Sequence, residues 1–256
     1  MRSVQMVHRA RSSHIGSALS IADLLAVLYG GRLRVDPTRP AWEGRDRMVL
    51  SKGHACVALY AALAERGYFP VEWLDTFYQN GTLLAGHATA GTPGIDVSTG
   101  SLGHGLSIAC GMALAGRRAG ADYRVFTVLS DGECDEGSTW EAVLFAPHHR
   151  LDNLVAIVDY NKIQSLGRVE DVLNLDPLAD KWRAFGWAVR EIDGHDLAKI
   201  DAAMDTLPLQ AHRPTCLIAH TVKGKGVSFM ENRLAWHYRP PEDDELALAL
   251  EELTSA

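Results

Sequence analysis

A doubly wound α/β domain, one parallel sheet with helices on both faces, follows from two features of the 256-residue sequence. Short β-branched apolar runs, which read as strands buried on both sides, alternate with helix-like stretches of about ten residues. No repeat, low-complexity tract or Pro/Ser-rich linker interrupts that alternation, so one domain over 1–256 is the economical reading. In chain order, the helical period appears over 20–29, 55–66, 106–118, 138–148, 177–185 and 197–206, with a further helix-like stretch over 243–253. Strands are expected at 125–129 (VFTVL), 154–158 (LVAIV) and 216–219 (CLIA), and weaker ones at 48–50 and 188–192.

Composition excludes several classes. With 47% hydrophobic and 22% charged residues, the chain can bury a full core, which rules out disorder and coiled-coil classes. Lys and Arg number 25 against 32 Asp and Glu, a net charge of −7 that gives no footprint for nucleic acid or an anionic membrane. No apolar run approaches the ~18 residues of a membrane span. The start, MRSVQMVHRARSSH, lacks the apolar centre of a secretory signal, so a soluble cytoplasmic enzyme or binding domain is expected. Cys56, Cys110, Cys134 and Cys216 show neither disulfide-framework nor zinc spacing.

In open parallel sheets, ligands bind beyond the carboxyl ends of the strands, which directs attention to the loops there. Ser130-Asp131-Gly132-Glu133 follows the run 125–129, Asp159-Tyr160-Asn161-Lys162 the run 154–158, and His220-Thr221-Val222-Lys223-Gly224-Lys225-Gly226 the run 216–219. Asp131 and Asn161 are one strand–helix–strand unit apart, so both emerge at the same sheet edge. A carboxylate, an amide oxygen and a nearby backbone carbonyl are hard ligands suited to Mg²⁺ or Ca²⁺, with phosphate oxygens completing the shell. Gly132 lets the backbone approach such a ligand closely.

Gly100-Ser101-Leu102-Gly103-His104-Gly105 opens a helix and offers free N–H groups to an anion or polar ligand. No strand immediately precedes it, so it is not a dinucleotide-binding fingerprint, and Gly224-Lys225-Gly226 lacks Walker A spacing. His14, His54 and His87 sit among glycines and serines, and His237 follows in AWHYRPP. Without metal-ligand spacing, these four read as hydrogen-bond donors and proton carriers facing a cavity.

Six blocks carry a family resemblance: SHIGSALSIADLLAVLY, SKGHACVALYAAL, GHATAGTPGIDVSTGSLGHGLSIACGMALA, SDGECDEGSTWEA, VDYNKIQSLG and HTVKGKGVSFMENRLAWHY. In this order the chain resembles the diphosphate-binding N-terminal part of transketolase over nearly its whole length. The resemblance implies thiamine diphosphate and Mg²⁺ as cofactors, with Ca²⁺ or Mn²⁺ as substitutes. It places Mg²⁺ on Asp131, Asn161 and the carbonyl of Ile163. It sets Gly132 and its neighbour Glu133 beside the diphosphate, His54 and His237 hydrogen-bonded to it, and Gly100 and Leu102 against the aminopyrimidine. It gives His14 and His87 the sugar and its protons, and Glu136 a link between active sites across a subunit interface.

Three positions depart from the family pattern. Ser130 replaces a leading glycine, His104 a common glutamine, and Ser165-Leu166-Gly167 an apolar-acidic-glycine run, with Leu166 substituting for the group that supports the bent cofactor. In this family the cofactor lies between two domains, and 256 residues leave no room for the pyrimidine-binding domain or the C-terminal domain. The expectation is therefore the N-terminal subunit of a split transketolase, acting on sugar phosphates with a separate C-terminal subunit in an α₂β₂ assembly. Two alternatives stay open: a deoxyxylulose-phosphate-synthase-like or 2-oxo-acid decarboxylating enzyme on the same cofactor, and a non-catalytic paralogue that binds a partner.

Overall fold

The computed structural model describes residues 1–255. Its elements run α1 (Arg2–Ala10), α2 (Ile15–Leu19), α3 (Ala22–Val27), β1 (Arg47–Leu50), α4 (Cys56–Glu65), α5 (Gly105–Arg118), β2 (Val125–Ser130), α6 (Gly137–His148), β3 (Leu154–Tyr160), α7 (Val169–Val172), α8 (Leu178–Ala184), β4 (Ala188–Asp193), α9 (Leu197–Asp205), β5 (Thr215–His220) and α10 (Asp243–Ser255). The five strands form one sheet in the order β1-β2-β3-β5-β4. Every pairing is parallel, with Ser130 opposite Asp159 and Tyr160 opposite His220 at the carboxyl ends.

Strand periodicity divides the core into two layers. Phe126, Val128, Val155, Ile157 and Leu217 pack on one face, against α1–α4 and α9. Val125, Leu129, Leu154, Ala156, Val158 and Ile218 pack on the other, against α5, α6 and α8. Full burial of β2 and β3 explains why their sequence runs are uninterrupted. The two weaker runs, 48–50 and 188–192, are the sheet's edge strands β1 and β4. On β4 the outward-facing Arg190 and Glu191 dilute the apolar signal.

The structure differs from the sequence expectation in three places. The N-terminal residues form α1, an amphipathic helix burying Val4, Met6 and Val7. The helical run 20–29 is α-helical only over α3, Ala22–Val27: a separate helix α2 ends just before it at Leu19, and α3 gives way at Leu28 to a wider turn through Arg32, where Gly30 and Gly31 interrupt the pattern. The long segment between α4 and α5 holds little regular structure beyond a 3-10 turn at Val71–Thr76. It is anchored instead by the Tyr60 hydroxyl, which donates to the carbonyls of Ala85 (3.0 Å) and His87 (2.8 Å). That anchor fixes the backbone carrying His87.

Candidate active site

Four strand ends supply the floor of the site: Lys52 and His54 after β1, Asp131 after β2, Asn161 and Ile163 after β3, and Lys223 after β5. His14 enters from the N-terminus of α2, His87 and Gly100 from the long segment, and His237 from a 3-10 turn at Leu234–His237. All of them except Lys52, which lies beneath, line a cleft of about 390 Å³ that also takes in Ser17, Leu102, Gly132, Glu136 and Leu166. A side pocket of about 240 Å³ opens off it, sharing His14, His54 and His87.

Beneath the cleft lies a buried ion pair. Lys52 and Asp159 are both fully buried and in direct contact. The Lys52 ammonium also donates to the Ser17 carbonyl at 3.1 Å. The Asp159 carboxylate accepts from Ser20 Oγ (2.7 Å), Asn161 Nδ2 (3.0 Å) and the Thr221 hydroxyl. Burial pushes the pKa of Asp159 up, but Lys52, Thr221 and Ser20 outweigh it and hold the carboxyl below its ordinary range. The bond to Asn161 Nδ2 has a second effect: it turns the amide oxygen of Asn161 away from Asp159 and towards the backbone N–H of Ile163, at 3.1 Å.

Asp131 is buried and makes no ion pair among the described residues. Its oxygens accept only backbone N–H groups, from Gly132 at 2.8 Å and Lys162 at 2.6 Å. Burial, then repulsion from Asp159, raises its pKa to about 6. A buried carboxylate without a cation, beside an oriented amide oxygen and the Ile163 carbonyl, could hold a hard divalent ion that keeps phosphate or water ligands. No group of three or more His, Cys, Asp or Glu side chains that could hold a metal is found among the described residues, so a metal here would rest on one carboxylate, one amide and one carbonyl. A cationic group already stands at one vertex: Lys223 Nζ donates to the Ile163 carbonyl at 2.8 Å. Burial and the charge of Lys52 lower the Lys223 pKa to about 8.

The four histidines cluster above this floor. Ring centroids of His14 lie 5.0 Å from those of His54 and His237 and 6.2 Å from His87; His54 and His237 are 5.9 Å apart. Ser13 Oγ holds His14 Nδ1 at 2.9 Å, Ser17 Oγ holds His54 Nε2 at 2.9 Å, and Lys223 Nζ holds His237 Nδ1 at 2.9 Å. Burial first, then neighbouring charge, lowers His14 to about 4 and His237 to about 3, and pulls His54 well below its ordinary value. These three rings are therefore neutral at neutral pH. Gly100 packs against His87 so closely that a Cβ there would lie 2.7 Å from the ring, and its φ of +148° also favours glycine.

Nearly all of the residues singled out from sequence meet in this one cleft. Glu133 does not. Its side chain turns behind the cleft wall, fully buried, accepting from the Ser51 hydroxyl and the Gly103 N–H (2.9 Å). It braces the Gly100–Leu102 turn against the β2 loop rather than facing a ligand. His104 also stays outside, exposed at the start of α5. Ser130 preserves its turn in an unexpected way, since its Oγ accepts the Glu133 N–H at 3.2 Å. Lys52, Asp159, Ser17 and Lys223 were missed as site residues. Lys52 and Lys223 stand in the SKGH and HTVKGKG blocks, where a lysine directly before a glycine, with a histidine two or three residues away, was the available signal.

Comparison with known proteins gives this geometry a family. A model described as the transketolase thiamine diphosphate binding domain matches residues 1–254. A 6-deoxy-6-sulfo-D-fructose transketolase subunit of Clostridium sp. (strain MSTE9) is 47% identical over 241 residues, 94% of this chain and 88% of the relative. An apulose-4-phosphate transketolase subunit of Phocaeicola vulgatus is 42% identical over 253 residues, 99% of this chain and 90% of the relative. The crystal structure of transketolase from Campylobacter jejuni superposes with a TM-score of 0.93 at 32% identity, covering 99% of this chain and 41% of that one. Transketolase of Pichia stipitis with bound sedoheptulose-7-phosphate superposes at 0.94, 31% identity, with 99% and 39% covered. The chain thus spans about two fifths of these solved transketolases and most of the length of the relatives named as subunits. It belongs to the transketolase family, as the thiamine diphosphate binding domain.

Proposed function

We propose that this chain is the thiamine diphosphate- and Mg²⁺-binding subunit of a two-chain transketolase, which moves a two-carbon ketol unit from a ketose phosphate to an aldose phosphate. The observation that carries the reading is the juxtaposition of a hard-oxygen triad, Asp131, Asn161 and Ile163, with four histidines at the mouth of the same cleft. Mg²⁺ would sit on the triad, with Ca²⁺ or Mn²⁺ as substitutes, and Gly132, His54 and His237 would meet the diphosphate. When bound, thiamine diphosphate supplies a centre that stabilises the carbanion released as the ketose carbon–carbon bond breaks.

The chain's own residues then handle protons and charge. His14 is neutral at neutral pH and beside the side pocket, so it can accept a hydroxyl proton. An anionic ligand offsets the repulsion from Lys223 and Lys52 and raises that ring's basicity on binding. His87 faces the same pocket and shares the sugar. Glu136, exposed at the N-terminus of α6 on the cleft rim, is placed to reach a neighbouring chain. A C-terminal subunit with a pyrimidine-binding domain would close the cleft in an α₂β₂ assembly; that relatives of similar length are named as subunits supports this. Four free, buried cysteines suit a reducing compartment such as the cytoplasm.

With the partner chain present, Asp131→Ala abolishes Mg²⁺-dependent retention of thiamine diphosphate; normal retention would show the metal assignment to be wrong. Offered a ketose phosphate and pyruvate side by side, the complex turns over the ketose. Turnover of pyruvate alone would move the chain to a decarboxylating class, and cofactor binding without any turnover would make it a binding paralogue.

A further inference from the structure

His237 differs from the other histidines in the kind of group that holds it. Ser13 and Ser17 present hydroxyls, which donate or accept, so they leave the tautomers of His14 and His54 open. The group 2.9 Å from His237 Nδ1 is the Lys223 ammonium, which carries only donors. A second of its protons goes to the Ile163 carbonyl at 2.8 Å, and the side chain is almost fully buried, so its direction is fixed from two sides. The backbone is tied as well: the Gly224 N–H donates to the Gly16 carbonyl at 2.9 Å, and the His14 N–H to the His237 carbonyl at 2.9 Å.

We infer that Lys223 is a positioning residue that locks His237 in the Nε2–H tautomer, making this ring a fixed hydrogen-bond donor toward the cleft. With Nδ1 engaged as an acceptor, the single ring proton must sit on Nε2, which has no hydrogen-bond partner among the described residues while the ring lines the cleft. A donor fixed in place costs no reorganisation when negative charge arrives on a ligand oxygen. On the proposed function, the donor so fixed faces the anionic diphosphate oxygens, and proton abstraction falls to His14 or His87. The tautomer itself stands on this chain's geometry and is read without any reaction.

The test is nitrogen-15 NMR on the full chain labelled at histidine, with the His237 resonances assigned by their loss in His237→Gln. In the wild type, Nε2 resonates as a protonated, pyrrole-like nitrogen and Nδ1 as an unprotonated, pyridine-like one. Lys223→Arg, which also has only donors, keeps that separation. Lys223→Met removes the donor, and the two resonances move toward each other as the second tautomer becomes populated. A protonated Nδ1 in the wild type overturns the inference, as does an unchanged separation in Lys223→Met. If the Met variant does not fold, the wild-type and Arg spectra still decide, because averaged or Nδ1-protonated signals in either contradict the lock.

Discussion

Replacing Lys52 by Met tests the ion pair on which the floor of the cleft is built. Met matches the length of the lysine stem and removes its charge, leaving the Asp159 carboxylate fully buried with only Ser20, Thr221 and Asn161 to compensate it. Breaking one side of a buried pair costs about 3–5 kcal/mol. For a chain of this size each kcal/mol lowers Tm by about 2–4 °C, so Lys52→Met should melt about 6–20 °C below wild type. The double variant Lys52→Met, Asp159→Asn removes both charges and should recover at least about 2 kcal/mol of the loss. Urea unfolding of the wild type, both single variants and the double variant gives the coupling energy directly. The pH dependence carries the same sign: Asp159 is held below its ordinary pKa, so its contribution is present above that ordinary value and lost as pH falls through the folded value. Without Lys52, burial is opposed only by Thr221 and Ser20, so the stability lost on acidification should shrink. A Lys52→Met cost below about 1 kcal/mol, or additive single variants, would refute the pair's role.

Three further outcomes follow from the same geometry. Between about pH 4 and about pH 6.5 the unfolded chain protonates His14 while the folded chain does not, and His237 and His54 act in the same direction. Asp131, raised to about 6, opposes them, as do Glu133 and Asp135, both raised by burial; the histidine shifts are the larger, so metal-free unfolding free energy should rise with pH across this window, whereas a flat or falling profile in urea titrations contradicts the assignment. Gly100→Ala drives a Cβ into the His87 ring at a positive φ, and should cost about 1–3 kcal/mol in thermal unfolding and lower turnover of the reconstituted complex; wild-type values in both would show that the turn can yield. Glu133→Ala strands the Gly103 N–H and the Ser51 hydroxyl and should cost about 2–4 kcal/mol by denaturant midpoint, with Glu133→Gln milder because it keeps an acceptor.

The sheet and the cleft were legible in the sequence to different depths. Strands buried on both faces, β2 and β3, announce themselves as uninterrupted apolar runs, and residues just past their ends fall into the site by topology alone. The helix α1 was not legible, because its apolar positions, Val4, Met6 and Val7, are interspersed with arginine and histidine over less than three turns. Within the site, Asp131, Asn161 and the four histidines could be singled out as polar groups among glycines. Asp159 could not: its position next to Asn161 reads as one more loop carboxylate, and only the fold brings Lys52 from β1 and Thr221 from β5 onto it. Glu133 was misplaced for a related reason. Sequence put it beside Gly132, but the 3-10 turn Gly132–Asp135 rotates alternate side chains to opposite sides of the loop, so Asp135 lines the cleft and Glu133 the core.

The distribution of charge supports the proposed joint binding of metal and diphosphate. Lys52 is neutralised by Asp159, and the three shifted histidines are uncharged at neutral pH, so Lys223 is the cation of the floor that remains for an anion. Against it stands Asp131, which has no cation of its own. A diphosphate entering alone would gain Lys223 and meet the Asp131 carboxylate at close range in a site screened little by solvent. On the proposed reading, a divalent ion held by Asp131, the Asn161 amide and the Ile163 carbonyl would supply the positive charge that turns that repulsion into attraction. The floor would therefore favour the proposed metal–diphosphate pair over either component, because each alone leaves one buried charge unmatched.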